Sequence, residues 1–157
     1  MNKLFSILYI FTLLYGDGIS SSRETAITRA IKKVGPSVAS INVEQHVSSV
    51  SFDPFFGFMY PRNIYPMKSS GSGVVISPDG FVMTNYHVIE NADKISVTLS
   101  GGSEYEAEII GADITSDLAL LKLEGSNFPY AELGSSDDLL IGEWVIALGN
   151  PFQLFSI

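Results

Sequence analysis

The chain has 157 residues, with 46% apolar and 17% charged side chains, a formal net charge of −8 and no cysteine. This length suits one domain with its own core. The acidic balance excludes a surface for nucleic acid, because such a surface needs clustered Lys and Arg. The absence of cysteine excludes disulfide bridges and a cysteine nucleophile, so stability has to come from packing alone.

The N-terminus differs in composition from the rest of the chain. Lys3 is followed by an apolar run over residues 4–15 and by small and polar residues over 16–22. The run is shorter than the roughly 20 residues of a transmembrane helix and is typical of a signal-peptide core. We therefore predict a signal peptide over residues 1–22 and an exported protein, with an uncleaved anchor as the alternative. Membrane contact is expected only through this segment.

The next stretch has helical spacing and then strand alternation. Ile27, Ile31 and Val34 recur at helical intervals, and a Gly-Pro pair follows at residues 35–36. Such a pattern predicts a short helix that ends before the proline. Residues 38–43 alternate apolar and polar side chains, which predicts a strand.

Residues 48–68 interrupt this alternation. They hold six aromatic residues interleaved with Pro54, Pro61 and Pro66. Prolines and missing alternation predict a long loop. Exposed aromatic side chains at this density often form a contact surface. The alternative is that these rings fold onto their own domain.

From residue 73 onward the sequence predicts short strands. The predicted strands cover residues 73–76, 81–84, 94–99, 104–110, 117–123, 129–133 and 143–148. A Ser-Pro-Asp-Gly turn joins the first two, since Pro78 presets φ and Gly80 tolerates a positive φ. Strands at short, regular spacing without intervening helices favour an all-β, antiparallel barrel.

The chain has two histidines, His46 and His87. His87 directly follows the strand 81–84, where a sheet could hold the imidazole rigidly as a general base. A histidine after a strand is more often a structural residue, so the position of His87 alone does not show whether its role is catalytic or structural. His46 is predicted to be an exposed loop residue, and no second His or Cys lies at metal-ligand spacing from it. We predict no metal site and no cofactor.

Three segments occur in order: Gly-Ser-Gly through Thr-Asn-Tyr-His-Val at 71–88, Thr-Ser-Asp-Leu-Ala-Leu-Leu-Lys at 115–122, and Gly-Glu-Trp-Val through Gly-Asn-Pro-Phe at 142–152. Together they closely resemble the HtrA/Deg family of trypsin-like serine proteases. The resemblance covers residues 24–152 and implies the first, six- to seven-stranded barrel of a two-barrel protease domain over 23–157. It also implies that the second barrel and any peptide-binding (PDZ-like) domain are missing.

The resemblance assigns two catalytic residues. His87 corresponds to the general base, and Asp117, immediately before Leu-Ala-Leu-Leu-Lys, corresponds to the acid that orients it. Asp113 is the competing acid and is instead predicted to accept local backbone hydrogen bonds in a turn. Thr84 and Asn85 are predicted to shape the chain around His87.

The nucleophilic serine is not visible in the sequence. In proteases of this kind it follows the His and the Asp along the chain. The serines beyond Asp117 are Ser126, Ser135, Ser136 and Ser156, and none lies in the Gly-Asn-Ser-Gly-Gly segment that the resemblance demands. Truncation is the simplest explanation, and we expect the 157-residue chain to be inactive by itself.

The resemblance implies a serine endopeptidase that degrades unfolded or damaged proteins in the periplasm or cell envelope, as a homotrimer or higher homo-oligomer. The alternative is a non-catalytic barrel, or inactive protease homologue, that binds peptides or a partner subunit through the aromatic segment 48–68. The sequence leaves substrate preference and signal cleavage open.

Overall fold

The structure, a computed structural model, describes residues 23–149. The predicted signal peptide lies outside these residues. Within them, no helix has both the length and the apolar character needed to cross a bilayer. The described residues divide into two compact units, with the boundary between Lys33 and Val34.

Helix α1 (Ala26–Val34) confirms the predicted helix. Its first turn is capped by Thr25, whose hydroxyl oxygen accepts a 3.2 Å hydrogen bond from the backbone N–H of Thr28, and this satisfies an amide that the helix itself leaves unpaired. One 3₁₀ turn (Gly35–Ser37) follows, because Pro36 is accepted at a helix start but cannot continue α1.

Six antiparallel strands close into a barrel in the order β1-β2-β3-β6-β5-β4. The strands are β1 (Val38–Phe52), β2 (Met59–Val75), β3 (Phe81–Thr84), β4 (Lys94–Leu99), β5 (Glu104–Asp113) and β6 (Leu118–Leu123). A second short helix, α2 (Tyr86–Ile89), joins β3 to β4. The all-β, antiparallel barrel predicted from the sequence is confirmed, and it has six strands.

The core fills the barrel with aliphatic side chains. Alternate positions of the strands point inward, as the buried-every-second-residue patterns of β4 and β6 show. Side chains with no exposed surface are Ala39, Ile41, Val75, Val82, Val97, Leu121 and Leu123. This core fixes the strands that carry the candidate site.

The turn between β2 and β3 forms as predicted. Gly80 has φ +89°, in the left-handed region that favours glycine, and its N–H donates to the carbonyl of Ser77. The Gly80 carbonyl in turn accepts from the N–H of Leu123, and the carbonyl of Pro78 accepts from Phe128. The hairpin turn is therefore tied to the end of β6.

The prediction of a long loop over residues 48–68 is wrong. Only residues 53–58 form a turn, whereas β1 continues to Phe52 and β2 begins at Met59. Beyond residue 44, β1 pairs with β2 alone, so the two strands continue as a ribbon that has open edges on both sides. Open edges accommodate Pro61 and Pro66, because no further strand needs their missing N–H groups.

The turn of this ribbon presents three phenylalanines to solvent. The Asp53 carboxylate accepts the backbone N–H groups of Phe55 and Phe56. Phe55, Phe56 and Phe58 are 88%, 70% and 54% exposed. These rings therefore do not fold onto the barrel, and Phe55 and Phe56 pack edge to face on each other.

The predicted strands at 129–133 and 143–148 are also absent from the described chain, where neither segment has regular secondary structure. Residue Ala131 makes one backbone hydrogen bond to Val75. The segment 143–148 is a continuous apolar run after Glu143, but no strand among residues 23–149 pairs with it, and Trp144 and Val145 are 91% and 80% exposed. A short apolar run forms a strand only where a partner provides hydrogen bonds.

Candidate functional site

The barrel brings His87 and Asp117 together although 30 residues separate them along the chain. β3 and β6 are neighbours, and Thr84 at the end of β3 pairs with Ala119 at the start of β6. His87 lies three residues after Thr84, in α2, and Asp117 lies two residues before Ala119. The same end of one strand pair therefore carries both side chains.

Two contacts join His87 to the Asp117 carboxylate. The backbone N–H of His87 donates to Oδ1 over 2.9 Å, and the ring Nδ1 lies 2.7 Å from Oδ2. A carboxylate only accepts, so this contact places a proton on Nδ1. The neutral ring then has an acceptor lone pair on Nε2, and Nε2 makes no hydrogen bond to any residue in 23–149. The imidazole is 66% exposed, so Nε2 is accessible.

Asn85 and Tyr86 hold Asp117 from the preceding turn. The Asn85 side-chain amide donates to Oδ2 and to the backbone carbonyl of Asp117, over 3.2 and 3.1 Å. The backbone N–H of Tyr86 donates to the same carbonyl over 3.2 Å. These contacts confirm that Asn85 shapes the chain around His87.

The pKa of Asp117 is held below its usual range. The backbone N–H of His87 is the main cause, followed by the His87 ring, with a smaller contribution from the Asn85 amide. Each of these groups hydrogen-bonds to the ionised carboxylate and favours it over the acid. Asp117 is therefore ionised at neutral pH, and its carboxylate can accept the hydrogen bond from Nδ1–H of His87.

The backbone of Asp117 is in the left-handed region, with φ +52°. Asp and Asn adopt this conformation more readily than most residues, yet it still costs free energy. Such conformations persist where surrounding contacts determine them, and they cluster at functional sites. Here the contacts from Asn85 and Tyr86 supply that constraint.

The structural role predicted for Thr84 beside the site is confirmed. It is 5% exposed, and its hydroxyl donates to the carbonyl of Ser72 over 2.8 Å. This bond joins the end of β3 to β2, so the segment from which His87 projects is fixed to two neighbouring strands.

The competing acid, Asp113, makes only local contacts, as predicted. Its carboxylate accepts the backbone N–H of Thr115 over 2.9 Å and the hydroxyl of Ser116 over 2.7 Å. The Ser116 hydroxyl, followed by the Thr115 amide, lowers the pKa of Asp113. Asp113 therefore stabilises the turn that leads to Asp117.

The structure contains a second His–Asp pair that the sequence did not predict. His46 lies in β1 rather than in a loop, which corrects its predicted position, although its side chain is 58% exposed. Asp93 Oδ2 accepts the backbone N–H of His46 over 2.6 Å and lies 2.9 Å from its Nδ1. The β1–β4 register brings Glu44 opposite Lys94 and so places His46 beside Asp93. Only the strand register could have revealed this pair.

Acidic and histidine side chains do not assemble into a metal-binding cluster of three or more anywhere in residues 23–149. Neither His–Asp pair has a third such ligand, and two ligands alone hold a metal poorly. The chemistry that this site supports is proton transfer at Nε2 of His87.

Comparisons with known proteins find peptidases similar to this chain. The trypsin-like peptidase domain family matches residues 71–156. The chain is 38% identical to a "Probable periplasmic serine endoprotease DegP-like" of Ectopseudomonas mendocina over 92% of this chain and 36% of that protein. It is 42% identical to HhoB of Synechocystis sp. over 82% of this chain and 33% of that protein. The chain thus spans about a third of the length of these relatives.

Solved structures share the fold. The serine endoprotease from Yersinia pestis matches 83% of this chain and 41% of that chain, with a TM-score of 0.64 and 30% identity. An AlgW variant, an HtrA-type protease with a decapeptide, matches 75% of this chain and 38% of that chain, with a TM-score of 0.68 and 33% identity.

Proposed function

The chain belongs to the trypsin-like peptidase family, and from that premise we propose that it supplies the base and the acid of an HtrA-type serine endopeptidase. His87 is the base and Asp117 is the acid that orients it. The 2.7 Å contact between Nδ1 of His87 and Oδ2 of Asp117 carries this proposal, because it leaves Nε2 free to accept a proton.

The proposed chemistry is acyl transfer to a serine and then to water. Nε2 of His87 takes the proton from the serine hydroxyl as the oxygen attacks the peptide carbonyl, and later gives it to the leaving amine. Asp117 stays ionised, keeps the proton of the neutral ring on Nδ1 and stabilises the imidazolium that forms. Water then hydrolyses the acyl-enzyme with His87 again as the base.

The serine is not among the residues assigned to this site. The serines after Asp117 lie outside any Gly-Asn-Ser-Gly-Gly segment, and Ser116 is occupied with Asp113. We therefore propose that residues 1–157 are inactive alone and that His87 serves a nucleophile from outside this sequence.

The names of relatives support the location proposed for the whole enzyme, and the HtrA/Deg resemblance implies its substrates. Several are named periplasmic serine endoproteases, and the N-terminal apolar run is compatible with export. We propose an exported, periplasmic protease of unfolded or damaged proteins, with a homotrimer or higher homo-oligomer as its assembly.

Casein cleavage by the full gene product that carries this sequence tests the proposal. Asp117→Asn is the informative variant, because asparagine tolerates the left-handed backbone at this position but does not hold the ring as a carboxylate does. We expect kcat to fall by about 10⁴-fold, because an amide at this position favours the wrong tautomer of the imidazole in a Ser-His-Asp mechanism.

Asp113→Asn is the matched control, since it removes a carboxylate four residues away whose hydrogen bonds go to Thr115 and Ser116. We expect the kcat of this variant to stay within a few-fold of that of the unchanged enzyme. Near-normal cleavage by Asp117→Asn would remove Asp117 from the site. Cleavage of casein by residues 1–157 alone would refute the proposed inactivity of this chain.

The exposed phenylalanines of the ribbon turn favour the second candidate, a non-catalytic binding barrel. Phe55 and Phe56 present most of their surface to solvent, and aromatic side chains of this kind anchor protein interfaces. A full gene product that binds unfolded casein without cleaving it, and loses binding in Phe55→Ala, would support the binding barrel against the protease.

A further inference from the structure

The residue next to His87 packs against a glycine of β2. Val88 is half-buried in α2 and packs against the barrel core. Gly71 is buried and pairs with Ile41 of β1. A Cβ added to Gly71 would lie 2.6 and 2.7 Å from the two Val88 methyl carbons, whereas unbonded carbons are comfortable at about 3.5–4.0 Å.

Space, not backbone conformation, explains the glycine at this position. Gly71 lies in regular β2 pairing and is not among the glycines with positive φ. An alanine would therefore fit the backbone of β2 but overlap Val88. One of the two segments would have to move by about 1 Å.

The strand is the less yielding of the two. β2 pairs with β1 through residues 69–74, and β1 pairs on its other side with β4. Moving Gly71 would disturb all three strands. The displacement therefore falls on α2, a helix of only four residues.

Within α2, the C-terminal side is the more firmly held. Ile89 is 3% exposed in the core. The following segment is tied to β1, since the Gln45 amide donates to the carbonyl of Glu90 and the N–H of Asp93 donates to the carbonyl of Glu44. The N-terminal side is held by hydrogen bonds from Tyr86 and His87 to Asp117, at an exposed site. A displacement of Val88 therefore moves the N-terminal side of α2, and with it His87 relative to Asp117.

We propose that Gly71 is a positioning residue for the His87–Asp117 pair: its missing side chain provides the space for Val88 and thereby sets where α2 places the imidazole. The relevance of Gly71 to catalysis rests on the proposed function, but the packing of Gly71 against Val88 does not depend on it. A misplacement of about 1 Å at a reacting group can cost 10²-fold in rate.

Carboxyl ¹³C NMR on the 157-residue chain tests this inference without requiring activity. In Gly71→Ala we expect the pKa of Asp117 to rise by about one unit, because the His87 N–H and ring withdraw from the carboxylate. The pKa of Asp93, held low by the His46 side chain and then its backbone N–H, is the internal control and should stay unchanged.

Two further variants make the test specific. Val88→Ala added to Gly71→Ala removes the opposing methyl groups and should return the Asp117 pKa to its low value. Gly111→Ala is the matched strand-glycine control, since no heavy atom lies within 4 Å of its added Cβ, and it should change neither pKa.

A folded Gly71→Ala chain with an unchanged Asp117 pKa would overturn the inference. Should Gly71→Ala fail to fold, the double variant decides: we expect it to fold with a low Asp117 pKa, and an unfolded chain or a raised pKa would reject the proposal. Since the readout is a pKa and not turnover, failure of the protease proposal would leave this result interpretable.

Discussion

At the scale of single residues, the two His–Asp pairs show what distinguishes a candidate site from a surface contact. In both, the aspartate accepts the backbone N–H of the histidine and contacts its Nδ1. Asp117 has in addition the amide of Asn85 on its carboxylate, and its carbonyl accepts from Asn85 and Tyr86. Because Asp117 accepts these additional hydrogen bonds, the His87–Asp117 pair is the better oriented of the two.

Asn85→Asp tests how far this orientation depends on charge. The change replaces two donated hydrogen bonds by a second carboxylate about 3 Å from Oδ2 of Asp117. Like charges at that distance disfavour ionisation, so we expect the Asp117 pKa, measured by NMR, to rise by about one unit or more. Asn127→Asp adds the same charge at another exposed asparagine, away from this site, and should leave the Asp117 pKa unchanged. An equal rise in both variants would show that net charge, not the local contact, controls Asp117.

Sequence reasoning reaches this site through resemblance and not through pattern. A histidine after a strand and an aspartate before another are common, and only the family motifs connect His87 with Asp117. The structure then brings the two side chains together. The His46–Asp93 pair belongs to no motif, and it depends on a strand register that apolar alternation does not specify between distant strands.

At the scale of elements, the β2–β3 turn connects the hairpin to the rest of the barrel. Gly80 combines a positive φ with close packing: an added Cβ would lie 2.7 Å from Cε2 of Phe128 and 3.0 Å from the carbonyl oxygen of Leu123. The Phe128 ring packs edge to face on Tyr105, so it has little room to withdraw.

Gly80→Ala should therefore cost more stability than strain alone. Gly102 is the matched control, because its φ is +81° but no heavy atom lies within 4 Å of an added Cβ. We expect Gly102→Ala to lower the free energy of unfolding by about 1 kcal/mol, and Gly80→Ala by about 1–3 kcal/mol more. Urea unfolding of both variants measures the difference. Equal losses would mean that Phe128 moves aside freely.

Elements are predictable where local signals and tertiary pairing agree. Helix α1 and the β2–β3 hairpin have clear periodicity, a proline stop and a glycine turn. The loop prediction fails for the ribbon because Pro61 and Pro66 indicate a loop unless the strand edges are open. The strand prediction fails for residues 143–148 because this apolar run lacks a partner strand among residues 23–149.

At the scale of the whole molecule, acidic pH should destabilise the fold. In the part of the chain that the structure describes, four carboxyl groups have lowered pKa values: Glu44 through the Lys68 ammonium, Asp93 through His46, Asp113 through Ser116, and Asp117 through His87. A group with a lowered folded pKa stabilises the fold fully above its unfolded pKa, and this contribution disappears as pH falls through the folded value.

We therefore expect the urea midpoint to be steady from about pH 7 to about pH 5 and to fall progressively below about pH 4, near the ordinary pKa values of Asp and Glu. The Asp93→Asn variant has one such titration fewer, so its midpoint should fall less steeply. A midpoint that stays level to about pH 3 would show that these carboxylates have the same pKa in the unfolded chain.

The position of β6 between β3 and β5 has a consequence for synthesis on the ribosome. Of the six strands in this barrel β6 is made last, yet its pairing with both neighbours closes the barrel. His87 precedes Asp117 by 30 residues, which at about 5–20 residues per second is a delay of about 1.5–6 s. During that interval the nascent chain carries a histidine without its carboxylate, and a barrel still open along one side. The oriented imidazole of His87 thus arises in the same event that closes the sheet, so His87 is not an oriented proton acceptor until the barrel that carries it is complete.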